Sequence, residues 1–519
     1  MKKFMLLTVC LLMAFPLLAQ QEQIDYDMVY NIKREGLQNS EVMDIAFYLT
    51  DVAGPRLTNS PGYTRAAEWA KGKFEEWGLK NAALEPWGEF GKGWENQKLY
   101  IAMTKPYYAP LIAAPKAWTP GTKGLVKGEV IFMDVEDEED LHSYQGKVKG
   151  KIVLLKPSSE VETSFEADAR RFTEEELAEM AKQPLSSRSS RYDPARLAQW
   201  RKQRALMEKV NAFLSVEGAA LVLRGTRGRE GTLFTSGGRG YRSNASPELP
   251  TIELQAEHAL RMARLLEEGI EVAVEAEMKN VFFDKDLQSY NVVAEIPGTD
   301  PQLKDEIVML GAHLDSWHSA TGATDNAAGS AVMMEAIRIL QAAGAQPRRT
   351  IRIALWSGEE QGLHGSRNYV KNHFGDPSTM EMKPEYDKFA GYFNIDNGTG
   401  RIRGIYLQGN DAVRPIFEQW FRPFDDMIDN RTITIRNTGG TDHLAFDQIG
   451  LPGFQFIQDP IAYSTRTHHT NMDTYERLQK EDLMQMACIV ASFVYHTAMR
   501  DEKLPRKPIK TESSSSAQR

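Results

Sequence analysis

The stretch that decides the fold is IVMLGAHLDSWHSATGATDNAAGSAVMMEAIRILQAAGAQPRRTIRIALWSGEE, residues 307–360 of a 519-residue chain. An apolar run predicts a strand that ends at His313, and a loop rich in Gly, Ser and Thr follows and contains Asp325. Residues 327–340 have helical periodicity, and a second apolar run ends in two glutamates. Two strands joined by a helix predict an α/β fold whose strand ends gather these side chains at one rim.

Five candidate metal ligands follow predicted strands along the chain. Oxygen and imidazole ligands without thiolates suit Zn²⁺ in a hydrolytic site, although Co²⁺ or Mn²⁺ could fill the same shell. A single Asp or His in a loop is more often a turn or surface residue, but five from successive strand ends of one sheet indicate a shared site. The candidates are His313, Asp325, Glu360, Asp396 and His469.

Composition and charge exclude some classes of function. The chain is 42% hydrophobic and 26% charged, as in an ordinary globular protein, and its net charge is -9. It contains no basic stripe or cluster of Lys and Arg interleaved with aromatics, which argues against nucleic acid as a partner.

The first residues, MKKFMLLTVCLLMAFPLLAQ, predict a cleaved signal peptide at 1–20 and a secreted or periplasmic protein. No later stretch approaches 18 apolar residues, so we expect a mature protein without a membrane span. Only Cys488 then remains, which excludes an intramolecular disulfide.

The pattern of elements predicts a discontinuous catalytic domain, residues 21–109 and 286–500. A β-rich inserted domain is predicted at 110–285, with a charged helical excursion at 173–214 that is either a solvated helical pair or a lid. The Lys- and Ser-rich end, 501–519, should be disordered.

Five motifs carry a resemblance to a known family: GAHLDS (311–316), GATDNAAG (322–329), WSGEEQG (356–362), NID (394–396) and HHT (468–470). In this order they resemble the M28 family of di-zinc peptidases, and HLDSW, EEQG and NIDNGTG are nearest to its carboxypeptidase Q-like members. The resemblance implies an α/β mixed-sheet phosphorylase/hydrolase-like peptidase domain with a protease-associated-like β-rich insertion.

The resemblance also implies how the ligands divide between two zinc ions per chain. His313 and Asp396 would hold one ion, Glu360 and His469 the other, and Asp325 would bridge them. The bridging carboxylate would offset the repulsion between the two cations.

Two further residues gain roles from the same resemblance. Glu359 is free of the metals and would be the general base that takes a proton from the zinc-bound water and passes it to the leaving amine. Asp315 would accept the second N–H of the His313 imidazole. In this family the bond between Asp325 and Asn326 is commonly cis.

Other polar residues near the motifs have weaker assignments. His318 and His468 are disfavoured as extra ligands, because the five candidates already fill the metal shell. Asp442 or His443 could bind a substrate terminus or an oxyanion, or belong to a plain turn, and Tyr463 is a further oxyanion-donor candidate.

The first functional hypothesis is an exported di-zinc exopeptidase, an aminopeptidase or dipeptidase, acting on short peptides. The alternatives are a glutaminyl-cyclase-like transferase with a single zinc and a metal-free binding protein on the same fold. The sequence leaves open the terminus and side-chain preference, and a homodimer remains an option.

Overall fold

The structure is a computed structural model that describes residues 22–157, 160–185, 194–246 and 248–508. The predicted signal peptide, residues 1–20, lies outside these ranges, as does most of the Ser- and Arg-rich turn between the two helices of the excursion.

Eighteen strands are found in the described residues. They are β1 (Lys80–Glu89), β2 (Gly93–Lys105), β3 (Ala109–Pro110), β4 (Ala113–Pro115), β5 (Val126–Met133), β6 (Ile152–Leu155), β7 (Leu221–Gly225), β8 (Thr251–Leu254), β9 (Ala273–Phe283), β10 (Gln288–Ile296), β11 (Ile307–His313), β12 (Thr350–Trp356), β13 (Gly375–Asp376), β14 (Glu381–Met382), β15 (Phe389–Asn394), β16 (Ile402–Tyr406), β17 (Thr432–Thr434) and β18 (Gly453–Gln458).

Eleven α-helices are found in the same part of the chain. They are α1 (Tyr26–Gln38), α2 (Val42–Phe47), α3 (Pro61–Glu76), α4 (Glu174–Lys182), α5 (Pro194–Glu217), α6 (Ala256–Glu267), α7 (Ala328–Ala342), α8 (His364–His373), α9 (Arg414–Phe421), α10 (His443–Asp447) and α11 (Lys480–Met499).

The first sheet is mixed, which confirms the predicted fold class. Its strand order is β1-β10-β12-β11-β15-β18-β16-β17. The four central strands, β12, β11, β15 and β18, run parallel, whereas β10 pairs antiparallel with β12 and β16 antiparallel with β18. The four parallel strands therefore end at the same edge of the sheet.

Alternate residues of β11 face two apolar layers. Val308 and Leu310 pack with helices α1, α2, α3, α7 and α11 on one side of the sheet. Ile307 and Met309 pack with α8 and α10 on the other side. Each such fully buried side chain contributes about 1.5–3 kcal/mol, so this central strand is held firmly on both faces.

The second sheet has the order β3-β2-β9-β5-β6-β7-β8-β4. Strand β2 pairs with β9 from Gly93 opposite Phe283 to Lys105 opposite Ala273. This pairing places β2 in the second sheet, although the sequence-based boundary at residue 109 assigns it to the catalytic domain. The boundaries at 109 and 286, and the kinship of this unit to a protease-associated domain, remain predictions.

Most described residues of the helical excursion are exposed, but the excursion also contacts the first sheet. Just before α4, Arg171 forms ion pairs with the buried carboxylates of Asp459 (2.9 Å) and Asp482 (2.7 Å). The Thr432 hydroxyl of β17 donates to the Leu177 carbonyl of α4. Helix α5 instead packs against strands β5, β6 and β7 of the second sheet. We call the second sheet and the segments packed on it the second unit.

None of the helices in the described ranges is long and apolar enough to cross a bilayer.

The prediction of a disordered tail at 501–519 is wrong for residues 501–508. Leu504 is 2% exposed and lies in the main apolar core. The guanidinium of Arg349, itself buried, donates to the Asp501 carbonyl at 2.9 Å. The last twenty residues are mostly polar, so their composition gives no sign that Leu504 is buried.

Ending the chain after Arg500 should therefore destabilise the protein. The truncation removes the buried Leu504 and the Asp501 carbonyl that accepts from Arg349, so we expect a Tm lower by roughly 3–5 °C. Ending the chain after residue 508 is the matched control and should leave Tm unchanged in a differential scanning measurement. Equal Tm values for the two truncated proteins would contradict the packing role of 501–508.

Candidate metal centre

The five predicted ligands lie at the carboxyl-terminal edge of the four parallel strands. His313 is the last residue of β11, and Asp325 lies in the turn between β11 and α7. Glu360 follows β12, Asp396 follows β15, and His469 lies in the loop after β18. Because adjacent parallel strands end together, side chains far apart in sequence meet at one place.

The structure brings all five side chains into contact around Asp325. His313 Nε2 lies 3.3 Å from Asp325 Oδ1 and 3.3 Å from Asp396 Oδ1. His469 Nε2 lies 3.2 Å from Asp325 Oδ2 and 2.9 Å from Glu360 Oε2. Asp325 thus turns one oxygen towards each of two pairs, the pairing that the family resemblance implies for a bridging carboxylate.

The chemistry of these donors fits divalent cations. Asp325 Oδ2 and Glu360 Oε1 are buried without a hydrogen-bond donor of suitable geometry. Burial raises the pKa of Glu360 to about 7 in the absence of a cation. Orphaned carboxylate oxygens beside two imidazoles form a donor set that a zinc ion satisfies.

Glu359 points towards the same edge without joining either pair. Its Oε2 lies 4.0 Å from His313 Nε2, and its side chain is 9% exposed. Burial raises the pKa of Glu359 well above its usual range. A carboxyl group that is buried beside the ligands without joining either pair is a candidate for the general base.

Asp315 contacts His313 through its main-chain carbonyl and not through the carboxylate that the resemblance implies. His313 Nδ1 lies 3.0 Å from the Asp315 main-chain carbonyl and 3.7 Å from its carboxylate. The carboxylate instead accepts the N–H groups of Glu359 and Glu360 and the Thr58 hydroxyl. Asp315 therefore positions both the imidazole and the turn that carries the two glutamates.

The peptide bond between Asp325 and Asn326 is cis, as the resemblance implies. Asp473 fixes this turn, because its two oxygens accept the N–H groups of Thr324 (2.7 Å) and Asp325 (3.0 Å). The Asn326 side chain also donates to the Ile395 carbonyl, next to Asp396 in sequence. Main-chain hydrogen bonds thus set the position of the central carboxylate.

The two histidines that the sequence disfavours as ligands lie in different places. His318 Nε2 contacts the Pro115 carbonyl, and burial lowers its pKa to about 4. His468 lies at the candidate metal centre. Its Nε2 is 3.9 Å from Asp325 Oδ2, and the centre of its ring is 3.8 Å from the centre of the His469 ring. His468, His469 and Asp325 could form a metal-binding group by distance alone.

The three residues suggested for substrate contacts, Asp442, His443 and Tyr463, lie in different surroundings. Asp442 is fully buried with its carboxylate near the Ser366 hydroxyl, and burial raises its pKa to about 7. His443 faces away, with its Nε2 2.7 Å from the Gln408 side chain. The Tyr463 ring packs 4.8 Å from that of His468.

Arg56 is a supporting residue that the sequence gives no reason to select. It is fully buried, and its guanidinium donates to the main-chain carbonyls of Leu314, Leu49, Thr321 and Gly322. Burial lowers its pKa to about 10, while nearby carboxylates, Asp473 first, favour the charged form. Arg56 therefore ties the loop after β11 to the N-terminal helices and places a positive charge beneath the acidic site.

A family model matches the part of the chain that carries this arrangement. Residues 291–494, which contain all five candidate ligands, match the model described as peptidase family M28. Over residues 291–494 the chain is similar to peptidase family M28. This is a family of metallopeptidases, in agreement with the donor set at the strand ends.

Several known proteins are similar to the chain over half of its length or more. Carboxypeptidase Q from Mus musculus is 31% identical over 260 residues, 50% of this chain and 52% of that protein. For carboxypeptidase Q from Bos taurus the identity is 27% over 461 residues, 88% and 85% of the two chains. The crystal structure of a peptidase M28 precursor from Shewanella amazonensis shares the fold, with a TM-score of 0.65, 23% identity and coverage of 93% and 98%.

The hydrogen bonds from the Asp325 turn to Asp473 lead to a test of metal affinity. In Asp473→Asn an amide group faces one of the two main-chain N–H groups, so the turn should shift and Zn²⁺ should bind roughly 10- to 100-fold more weakly. Competition with a chelating dye measures this affinity. Asp300→Asn is the control, because Asp300 also accepts two main-chain N–H groups but in a half-buried turn between β10 and β11. Unchanged affinity in Asp473→Asn would refute the role of Asp473.

Proposed function

We propose that the protein is a zinc exopeptidase that removes amino-terminal residues from short peptides. The observation that carries this proposal is the placement of Asp325 between two pairs of ligand side chains at one strand edge. His313 and Asp396 would hold one zinc ion, and Glu360 and His469 the second. When bound, the two ions would polarise the scissile carbonyl and acidify a water molecule.

Glu359 moves the proton in this proposal. Its Oε2 takes a proton from the attacking water and delivers it to the nitrogen of the leaving amine, so the group acts first as a base and then as an acid. Burial raises the pKa of this carboxyl group and so favours its protonated form, which is the form that donates in the second step. Asp315 holds the Glu359 main chain and thereby aims the carboxylate.

The place of action follows from the leader alone. With residues 1–20 as a cleaved signal peptide, the enzyme would work in the periplasm or outside the cell on peptides available there. The aminopeptidase and dipeptidase variants of the proposal differ only in the length of the accepted peptide.

Metal removal tests the core of the proposal. Chelator-treated protein should lose hydrolysis of aminoacyl reporter substrates, and added Zn²⁺ should restore it. Metal analysis should find two zinc ions per chain. One ion per chain would favour the cyclase-like alternative, and full activity of the metal-free protein would refute a metallopeptidase.

Substitution of Glu359 separates proton transfer from metal binding. Glu359→Gln keeps the shape of the side chain but cannot accept the proton, so kcat should fall by roughly 100- to 10,000-fold while the zinc content stays unchanged. Glu360→Gln is the matched neighbour and should lower the zinc content as well. If Glu359→Gln retained most of its turnover, the general base would have to be another residue.

A further inference from the structure

A segment of the second unit, residues 227–236, lies along the loop that carries His469. The Thr235 main-chain N–H and hydroxyl both donate to the His469 carbonyl, at 2.9 and 3.3 Å. The Asn471 N–H donates to the Leu233 carbonyl, and the Leu233 N–H donates to the Asn471 side chain at 2.7 Å. Side chains of the second unit thus stand at the rim of the candidate metal centre.

Arg227 is fixed on this segment by an aromatic ring. Its guanidinium carbon lies 4.0 Å from the centre of the Phe234 ring, and Phe234 is bridged through its main chain to Thr470. Stacking holds the plane of the guanidinium and leaves its N–H groups free at the edges. Because Phe234 pairs with Thr470, the residue after His469, the stacked Arg227 lies on the segment that runs beside the His469 loop.

The nearby arginines are engaged by other groups, whereas Arg227 is not. Arg229 and Arg466 both pair with Asp168, at 2.7 and 2.6 Å. Arg56 donates to four main-chain carbonyls. Among the residues that the structure describes, no carboxylate oxygen lies within 4.0 Å of the Arg227 guanidinium, and its side chain makes no hydrogen bond.

Arg227 is exposed, and an unpaired guanidinium on the segment that pairs with the His469 loop has a chemical use. Buried carboxylates dominate the site and would repel a peptide that carries a negative charge nearby. A planar guanidinium binds a carboxylate through two parallel N–H bonds and would offset that repulsion.

We propose that Arg227 binds a carboxylate of the peptide substrate, an inference that rests on the proposed peptidase function. The carboxylate could be the carboxyl terminus of a very short peptide or the side chain of an Asp or Glu residue. In either case the second unit would contribute directly to substrate selection.

Four substrates distinguish a carboxyl-terminal carboxylate from a side-chain carboxylate. The dipeptide Ala-Phe is compared with its amide, Ala-Phe-NH₂, and Ala-Glu-NH₂ with Ala-Gln-NH₂. In Arg227→Gln we expect kcat/KM to fall roughly tenfold or more for the charged member of one pair, mainly through KM, and to change by less than about twofold for the neutral members. A selective loss for Ala-Phe identifies the carboxyl terminus, and a selective loss for Ala-Glu-NH₂ identifies the side chain.

Two variants control for charge and folding. Arg227→Lys keeps the positive charge but loses the two parallel N–H groups of the guanidinium, so it should retain part of the preference for the charged substrate. Arg261→Gln removes another arginine of the second unit that stacks on an aromatic ring, that of Tyr107 at 5.9 Å, and should leave all four substrates unaffected. Equal losses for charged and neutral substrates in Arg227→Gln, or no loss, would overturn the proposal.

A binding measurement separates this proposal from the proposed function. Calorimetric titration of metal-free wild-type protein with Ala-Phe, Ala-Phe-NH₂, Ala-Glu-NH₂ and Ala-Gln-NH₂ requires no turnover. We expect tighter binding of the charged member of at least one pair, and loss of that difference in Arg227→Gln. Absence of hydrolysis of all four substrates by zinc-loaded wild-type protein would refute the peptidase. Absence of any charge-dependent difference in binding would refute the role of Arg227.

Discussion

Electrostatic repulsion among buried carboxylates is the constraint on which the rest of this site depends. Seven acidic side chains gather at the ends of four parallel strands, namely Asp315, Asp325, Glu359, Glu360, Asp396, Asp442 and Asp473. Unbalanced charges at such short range would cost several kcal/mol each. Main-chain N–H groups, two imidazoles and one buried guanidinium offset part of this charge. Divalent cations would balance what remains.

The order and type of the elements around the site could be predicted from the sequence. Strand β11 is an unbroken apolar run, and α7 has the apolar residues of a helix buried on all sides. Such local periodicity marks where a strand ends, and parallel pairing then gathers His313 and its four partners. The family motifs added the division of the ligands into two pairs, which the distances around Asp325 match.

The supporting contacts could not be predicted in the same way. Arg56 reaches carbonyls more than 250 residues away, and no local pattern marks such a contact. The orienting atom of Asp315 depends on main-chain geometry, since both its carbonyl and its carboxylate are acceptors. Leu504 is one apolar residue in a polar stretch, so averaged composition concealed its buried position. Long-range packing determines all three.

Pairing between residues 233–235 and the His469 loop joins parts of the chain that are more than 230 positions apart. Contacts of such high sequence separation form late in folding, because closing a long loop costs entropy before the contacts repay it. The last ligand would therefore reach its final position only after both sheets have formed and docked. Zinc acquisition would then coincide with completion of the entire fold, and a partly folded chain would remain a poor competitor for the metal.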